Sequence, residues 1–576
     1  MASKPSWQYY KRLGDMSRIR ALAESVFNGR HAAASPRIVS AAEAYALACQ
    51  RPHVTVTDLP MDPGSIKRLG LPSDAKVIND NHGATVGRSA EARVFYQQRD
   101  PASRNALEAM CREAIYELQV RHKLIIGEAV LGTHPDMMLK ARLICPEEDV
   151  FNLFTWYANF SPLAAVVEYE TSKVHDIPDI LFLAYPEWKS SDPRWARGAV
   201  VVDEVHKTIF NFGLRYFGER KKGTLTMAWT AGMNLGAVAA HGGIKEIDLS
   251  GCKGFENRGK QVIAFYGLSG SGKSSHSNSL DNEGTLPPGF QRTIAHDDAF
   301  QIDYKNKVCY VWEPSLFDKT DARELDHPDW KYLICTQNML VCEVGGRILP
   351  YGQDVRNNNG RAIFAREMLG RVTDSIGFPN SIGWLMRDVT LPPLLKVTNI
   401  PLAVAMGATL MTKRTAAENV TEEEMRRLVF VPFANPFRVY PLYEDCVGYQ
   451  KVFEAGCECY VWNGGGSGFW KSAEADVNKV PLKMSLGLQT AVLCGTLEWE
   501  DWGLIPGLQI PTRKSADKIW PGYYETYDPA RVENKDAYQT LLKDRFQQRS
   551  DFLKGTDVAQ KPKLLKKLVG ALKVKL

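Results

Sequence analysis

VIAFYGLSGSGKSSHSNSL, residues 262–280, joins a short apolar run to a glycine-rich turn, a lysine and two serines. Residues 262–266 are β-branched, small or aromatic and stop at a glycine, which predicts a buried strand. Gly267, Gly270 and Gly272 let the backbone turn its N–H groups inward, and the residues after Lys273 are able to start a helix. A strand, loop and helix in this order cradle phosphates with backbone donors and a helix N-terminus. The spacing Gly267-x4-Gly272-Lys273-Ser274 is that of a P-loop, in which the lysine reaches the β- and γ-phosphates and the hydroxyl ligates Mg2+. The cradle so predicted runs through Gly267, Leu268, Ser269, Gly270, Ser271, Gly272, Lys273, Ser274 and Ser275. A glycine-rich surface loop is the competing reading, and the strand in front weighs against it.

With 576 residues the chain exceeds one ordinary core, so two or more domains are expected. Its composition is that of a globular protein, and a net charge of +5 is too mild to point to nucleic acid. No apolar run is long enough to span a bilayer, and MASKPSWQYYKRLGDMSRIR lacks the apolar centre of a signal peptide. Eleven cysteines lie scattered without metal-ligand spacing; Cys457 and Cys459 in GCECY, the one close pair, read as a buried strand pair. A reduced, cytoplasmic protein, monomeric and without a disulfide framework, is the expectation.

Residues 36–240 mix strand-like runs (ILFLAY at 180, GAVVV at 198, TLTMAWT at 224) with helical segments such as NALEAMCREAIYELQ. From 262 onward VIAFYG, IGWLM and ECYVWNGGG alternate with loops. The pattern predicts an α/β chain of two domains, 1–245 and 246–555, the second built around the P-loop. DAYQTLLKDRFQQRSDFL has helical spacing, with Leu541, Leu542 and Phe546 on one side. The closing segment 556–576 contains KPKLLKKLVGALKVKL, basic and amphipathic. Contact with an anionic membrane or a partner and a solvated, partly frayed tail are both open there, and no role is assigned.

A P-loop alone leaves GTPases, ATPases and kinases open. The guanine signature Asn-Lys-x-Asp is missing, since NKVC, NKVP and NKDA all depart from it. Upstream stands YFGERKKG, with Tyr216, Glu219, Lys221 and Lys222, followed by His241 in AAHGG. Downstream come HDDAF with Asp297 and Asp298, EPSLFDK with Glu313 and Lys319, and NNNGRAIF with Arg361.

This ordered set resembles the ATP-type phosphoenolpyruvate carboxykinases, and the likeness runs through most of the chain. The family's Gly-Leu-Ser-Gly-x-Gly-Lys loop is matched at 267–273, and its Tyr-x-Gly-Glu-x-Lys-Lys-Gly motif at 216–223. Its Gly-Arg-Ser is matched at Gly87, Arg88 and Ser89, and RDVTLPP at 387 is similar to its Ala-Asp-x-x-Gly-x-Leu-Pro-Pro. The resemblance implies a two-domain carboxykinase-like fold with a P-loop mononucleotide-binding C-terminal domain. It implies ATP, Mn2+ and Mg2+ as cofactors, with Mn2+ held by Lys222, His241 and Asp298. A lysine ligates a metal only when neutral, which burial and neighbouring cations such as Lys221 promote. A solvated charge pair is the ordinary reading of a Lys-Lys dipeptide. Asp297 shares the carboxylate work at the metals, and Lys273, Lys319 and Arg361 stabilise the charge on a transferring phosphoryl group. Arg88 clamps the carboxylate of an organic acid, and Tyr216 lies beside the CO2.

The rim departs from the family. Gly-Asp-Asp-Glu-His-Gly-Trp becomes HDDAFQI, Pro314 and Ser315 replace glycines after Glu313, and an Asn-Thr-Gly-Trp loop is only echoed by WNGGGSGFW. Lys483 and Gln489 align with an adenine-contacting arginine and threonine. Three readings follow: conversion of oxaloacetate and ATP to phosphoenolpyruvate, CO2 and ADP; the same scaffold phosphorylating a different small-molecule or protein acceptor; and a nucleotide-binding protein without turnover.

Overall fold

In a computed structural model the chain is described over 18–27, 36–82, 92–172, 174, 179–268, 271–278, 285–320, 323–325, 327–352, 359–414, 421–464, 478–528, 531–532 and 534–575. Arg88, Ser269 and Gly270 lie outside the described residues, as do the side chain of Ser274 and residues 465–470 of WNGGGSGFW. The described residues fall into two compact units, one within Met1–Ala231 and Val311–Met368, the other within Gly232–Tyr310, Leu369–Thr415 and Thr421–Leu576. This departs from a single cut after residue 245. The segment 311–368 belongs with the first unit because its strands complete a sheet begun by residues 54–80.

In the first unit, strands Arg37–Ile38, Leu124–Leu131, Leu139–Pro146, Ile180–Tyr185, Thr208–Phe212, Ala199–Asp203 and Arg93–Phe95 lie side by side in that order. ILFLAY and AVVVD are buried along their whole length, as unbroken apolar runs require. Helix Pro101–Arg121 brings Leu107, Cys111, Ile115 and Leu118 into one cluster with Ile126, Leu183, Val201 and Phe210. A second sheet orders Ser315–Lys319, Arg361–Ala365, Leu333–Gln337, Lys76–Asp80 and Val54–Pro60. Helix Val150–Asn159 is buried end to end, because strands of both sheets pack against it.

TLTMAWT, expected as a strand, belongs to helix Phe217–Asn234. The β-branched residues are accommodated by back-bonding: the Thr224 hydroxyl donates to the Arg220 carbonyl at 2.8 Å and that of Thr230 to the Thr226 carbonyl at 2.8 Å. Trp156 Nε1–H donates to Thr224 Oγ1 at 3.2 Å. Tertiary burial thus overrides a weak local preference.

In the second unit, strands Val238–Asp248, Lys260–Tyr266, Ser381–Met386 and Glu458–Asn463 are consecutive neighbours in the sheet. Lys260–Tyr266 pairs parallel with Ser381–Met386, which pairs parallel with Glu458–Asn463. Parallel strands need cover on both faces, and the aromatic residues supply it. Phe265, Leu385, Tyr460 and Trp462 share one cluster with Met484, Leu488 and Ala491 of helix Leu482–Cys494. The alternate residues Tyr266 and Trp384 contact each other, and both contact Tyr449 of helix Leu442–Glu454. Cys459 is buried within its strand and Cys457 just before it, and all eleven cysteines are free thiols. Helix Lys535–Lys554 forms as its spacing predicts, with Leu542 and Phe546 buried. The basic tail is helical over Pro562–Ala571, with Leu568 buried. Among the described residues no helix is long and apolar enough to cross a membrane.

Candidate active site

In the second unit the strand Lys260–Tyr266 runs into Gly267 and Leu268, and helix Lys273–Asn278 begins at the lysine. Gly272 has φ +94°, a left-handed conformation that a side chain would strain. Lys273 Nζ lies 2.9 Å from Asp298 Oδ1. Asp298 stands on the turn between strands Gln291–His296 and Ala299–Asp303, where the buried His296 ring organises the chain. His296 Nδ1 accepts from the Asp298 N–H at 3.1 Å and the Ala299 N–H at 3.3 Å, and Asp297 Oδ1 lies 3.9 Å from it. The Gly242 N–H donates to the Asp298 carbonyl at 3.0 Å, which ties the turn to the strand that carries His241.

His241 Nδ1 lies 2.5 Å from the Ala434 carbonyl, so that nitrogen carries a proton. Nε2 is 3.2 Å from Asp298 Oδ1. A proton on Nε2 or a cation between the two groups satisfies this contact, and in the second case the imidazole and carboxylate are donors of the kind a divalent metal takes. Among the described residues no cluster of three His, Cys, Asp or Glu side chains is placed to hold an ion.

Beneath the loop lies a polar layer that sequence reading missed. Lys245, on the same strand as His241, is fully buried and donates to the His276 carbonyl, to which the Gln489 amide also donates at 3.2 Å. His276 Nε2 is 3.2 Å from Ser485 Oγ, and its ring lies 5.0 Å from that of Phe265. Burial pushes the His276 imidazole down to about 4, with the Lys245 charge acting in the same direction. Gln489, aligned with a nucleotide-contacting position, is thus wholly buried under the helix, whereas Lys483 is exposed.

In the first unit every described polar side chain of YFGERKKG finds a separate partner. Tyr216 OH accepts from Arg361 Nε at 3.1 Å, and the Tyr216 ring folds so closely over Gly218 that a Cβ there would lie 2.3 Å from it. Glu219 takes a two-pronged bond from Arg93 at 3.0 and 3.1 Å. Arg220 donates to Asp149. Lys221 Nζ is 3.0 Å from Glu313 Oε1, with both side chains buried, and Asn159 donates to the same oxygen at 2.7 Å. Lys222 Nζ lies 5.8 Å from the Trp229 ring centre. Both lysines are buried, so the dipeptide is not a solvated charge pair.

Strand register adds a row of polar side chains. Lys319 is directly opposite Arg361, Arg361 opposite Gln337, and Gln337 opposite Asp80. Directly opposed residues share a face of a sheet, so the two cations lie side by side, and among the described residues neither has a carboxylate partner. The Gln337 amide donates to Asp80 Oδ2 at 3.3 Å, and burial raises the Asp80 carboxyl above its usual range. Phe317 lies 6.0 Å from the Arg361 guanidinium and 5.9 Å from Lys221 Nζ. Arg93, Asp80 and Gln337 were not visible as site residues, for they stand in strands with no local motif around them.

Tyr216, Lys221, Lys222, Lys319 and Arg361 therefore belong to one unit, and His241, Lys273, Asp297, Asp298 and Lys483 to the other.

A mixed α/β architecture gathers acid, imidazole and lysine side chains at strand ends, a class to which likeness to known sequences adds a family. The sequence profile described as phosphoenolpyruvate carboxykinase matches residues 72–517, and the chain belongs to that family. Relatives named phosphoenolpyruvate carboxykinase (ATP) are similar at low identity. The one from Aeropyrum pernix is 24% identical over 332 residues, covering 54% of this chain and 60% of the relative, less than two thirds of its length. That from Bacillus subtilis is 22% identical over 447 residues, 72% and 79% of the two chains. That from Rhodopseudomonas palustris is 21% identical over 498 residues, 82% and 86%.

Proposed function

We propose that the protein converts oxaloacetate and ATP to phosphoenolpyruvate, CO2 and ADP, using a P-loop nucleotide site in its second unit. The observation that carries this reading is the pair Lys319 and Arg361, unneutralised and side by side on one sheet face, with Tyr216 on the Arg361 Nε. Like charges directly opposed across strands cost stability. A dianionic phosphoryl group removes that cost, and the charge it spreads during transfer is stabilised by the same cations.

The C3–C4 bond of oxaloacetate breaks, CO2 leaves, and the bonding pair stays on the enolate. The enolate oxygen then attacks the γ-phosphorus and ADP departs with the other pair. Arg88 and Tyr216 hold and orient the organic acid, and Arg361 spans the enolate oxygen and the γ-phosphate. Lys273 leaves Asp298 for the β- and γ-phosphates. His241 and Asp298 with Lys222 would hold Mn2+, and Ser274 with Asp297 alongside would hold Mg2+; such ions would supply Lewis-acid neutralisation of the reacting oxygens. Lys221, fixed by Glu313, contributes a desolvated positive charge beside Phe317.

A second reading, transfer to another acceptor, is favoured by the strand Ala299–Asp303 that directly follows Asp298 in place of the family's Glu-His-Gly-Trp. Both are tested by supplying ATP or GTP with Mn2+ and oxaloacetate and coupling phosphoenolpyruvate to a spectrophotometric readout. Steady turnover with ATP, lost in His241→Ala and Lys222→Ala, is expected. Labelled ATP that phosphorylates other acceptors, with no phosphoenolpyruvate formed, would overturn the first reading in favour of the second.

A further inference from the structure

The tail helix Pro562–Ala571 carries a charge arrangement that the proposed reaction does not use. Lys561, Lys563, Lys566, Lys567, Lys573 and Lys575 are all exposed, and 561–575 contains no acidic residue. Leu568 and Leu572 are buried, and the helix packs against helix Ile400–Ala408 of the same unit. A backbone bond from the Lys575 N–H to the Leu504 carbonyl, 2.8 Å, pins the far end. The helix is therefore a docked wall, with its apolar stripe used internally and its lysines outward.

Several features make this face costly by itself. Lys563 stands three and four residues before Lys566 and Lys567, spacings at which like charges repel along a helix. Lys561 and Lys563 sit at the N-terminal end, where the helix dipole disfavours cations and no side chain caps the turn. Among the described residues none of the six lysines is in an ion pair. Beside them a groove of about 250 Å3 between this helix and Leu442–Glu454 is lined by Lys451, Lys563 and Lys567 over Val447 and Leu564. Its one carboxylate, Glu454, already accepts the Gln450 amide at 2.6 Å.

We propose that this lysine face docks the protein on an anionic phospholipid surface, with headgroup phosphates entering the groove. Charge complementarity identifies the partner. The face offers lysine alone, compact point charges suited to mobile headgroups, without the arginine forks or exposed rings that RNA recognition uses. Gly570 lies amid the lysines on the exposed side, which leaves that side flat. With Leu568 and Leu572 occupied, binding is peripheral and electrostatic.

The test is co-sedimentation of the full chain with vesicles of phosphatidylcholine alone or with phosphatidylserine, at low and high salt. Binding only to the phosphatidylserine vesicles, released by salt, is expected. Each lysine near such a surface is worth roughly a fivefold change in partitioning, so neutralising three in K563Q/K566Q/K567Q should lose about 100-fold and reversing them in K563E/K566E/K567E should lose more. The glutamine variant adds no repulsion and so isolates the lost attraction, and carboxykinase turnover should be unchanged in both. Equal binding to neutral vesicles, no binding to anionic ones, or unaltered binding by both variants overturns the proposal. So does capture of RNA by the wild-type face in place of vesicles.

Discussion

Replacing Lys319 by methionine should make the protein more stable and nearly inactive. Lys319 and Arg361 are directly opposed on antiparallel strands, and neither is neutralised by a carboxylate among the described residues. Two unit charges about 6 Å apart repel by roughly 3 kcal/mol at an effective dielectric of 20 and by less than 1 kcal/mol in water. Arg361 is buried and Lys319 half-buried, so the value at a dielectric of 20 is the ceiling, which side-chain freedom cuts down to the span measured for cross-strand pairs. Removing one charge should therefore stabilise the protein by about 0.5–1 kcal/mol, within the span of cross-strand pairs. Methionine keeps most of the apolar stem, so little packing is lost. The assay is urea unfolding of the nucleotide-free protein at low and at high KCl. Screening should shrink the variant's advantage, because salt already relieves the repulsion in the wild type. Inorganic phosphate should stabilise the wild type more than the variant. Phosphoenolpyruvate formation should fall by about 100-fold, the usual loss when one preorganised charge is removed from a transferring group. A variant that is less stable, indifferent to salt and still active would refute the view that the two cations are held together for an anion.

Other expectations follow from the same geometry. Glu313→Ala leaves the Lys221 charge buried without its carboxylate and should cost about 3–5 kcal/mol, read by hydrogen exchange along helix Phe217–Asn234; Lys221→Met with Glu313→Leu should recover part of it. His276 titrates near 4 when folded against 6.5 in its ordinary state. The unfolded chain thus takes the proton first, so stability is complete above pH 6.5 and is lost as pH falls. The loss should reach about 2–3 kcal/mol by pH 4.5, and His276→Gln should flatten that part of the urea midpoint against pH. Tyr216→Phe removes the oxygen that Arg361 Nε donates to, and should lower kcat/KM for oxaloacetate about tenfold with KM for ATP unchanged. Asp298→Asn frees Lys273 and discharges the carboxylate facing His241, so Mn2+ binding followed by electron paramagnetic resonance should weaken together with turnover.

Much of the architecture was legible along the chain. The runs VIAFY, SIGWLM and ECYVWN read as strands because unbroken apolar stretches bounded by glycine or polar loops have few other uses, and they form neighbouring buried strands. NALEAMCREAIYELQ, read as helical, lies in helix Pro101–Arg121, and the spacing of DAYQTLLKDRFQQRSDFL matches helix Lys535–Lys554. TLTMAWT was misread because local preference at its threonines is weak, while burial against Trp156 is worth more. The boundary near 245 was misplaced because a chain segment that leaves one unit and returns to another marks its crossing with no composition change.

At the candidate site, residue types and their order were enough to propose a phosphate-loop lysine, an imidazole and an acid pair, since phosphate and metal chemistry restricts which side chains serve. Only tertiary structure decided what each does with its neighbours. It separated Lys221, bound to Glu313, from Lys222 beside Trp229, since adjacent positions on a helix point about 100° apart. It also set Lys319 against Arg361 and Asp80 against Gln337, residues tens to hundreds of positions apart, through backbone hydrogen bonds that no local stretch encodes. Chemistry is carried by residue identity, but electrostatic cost and its relief depend on distance and burial, and those exist only once the chain has folded.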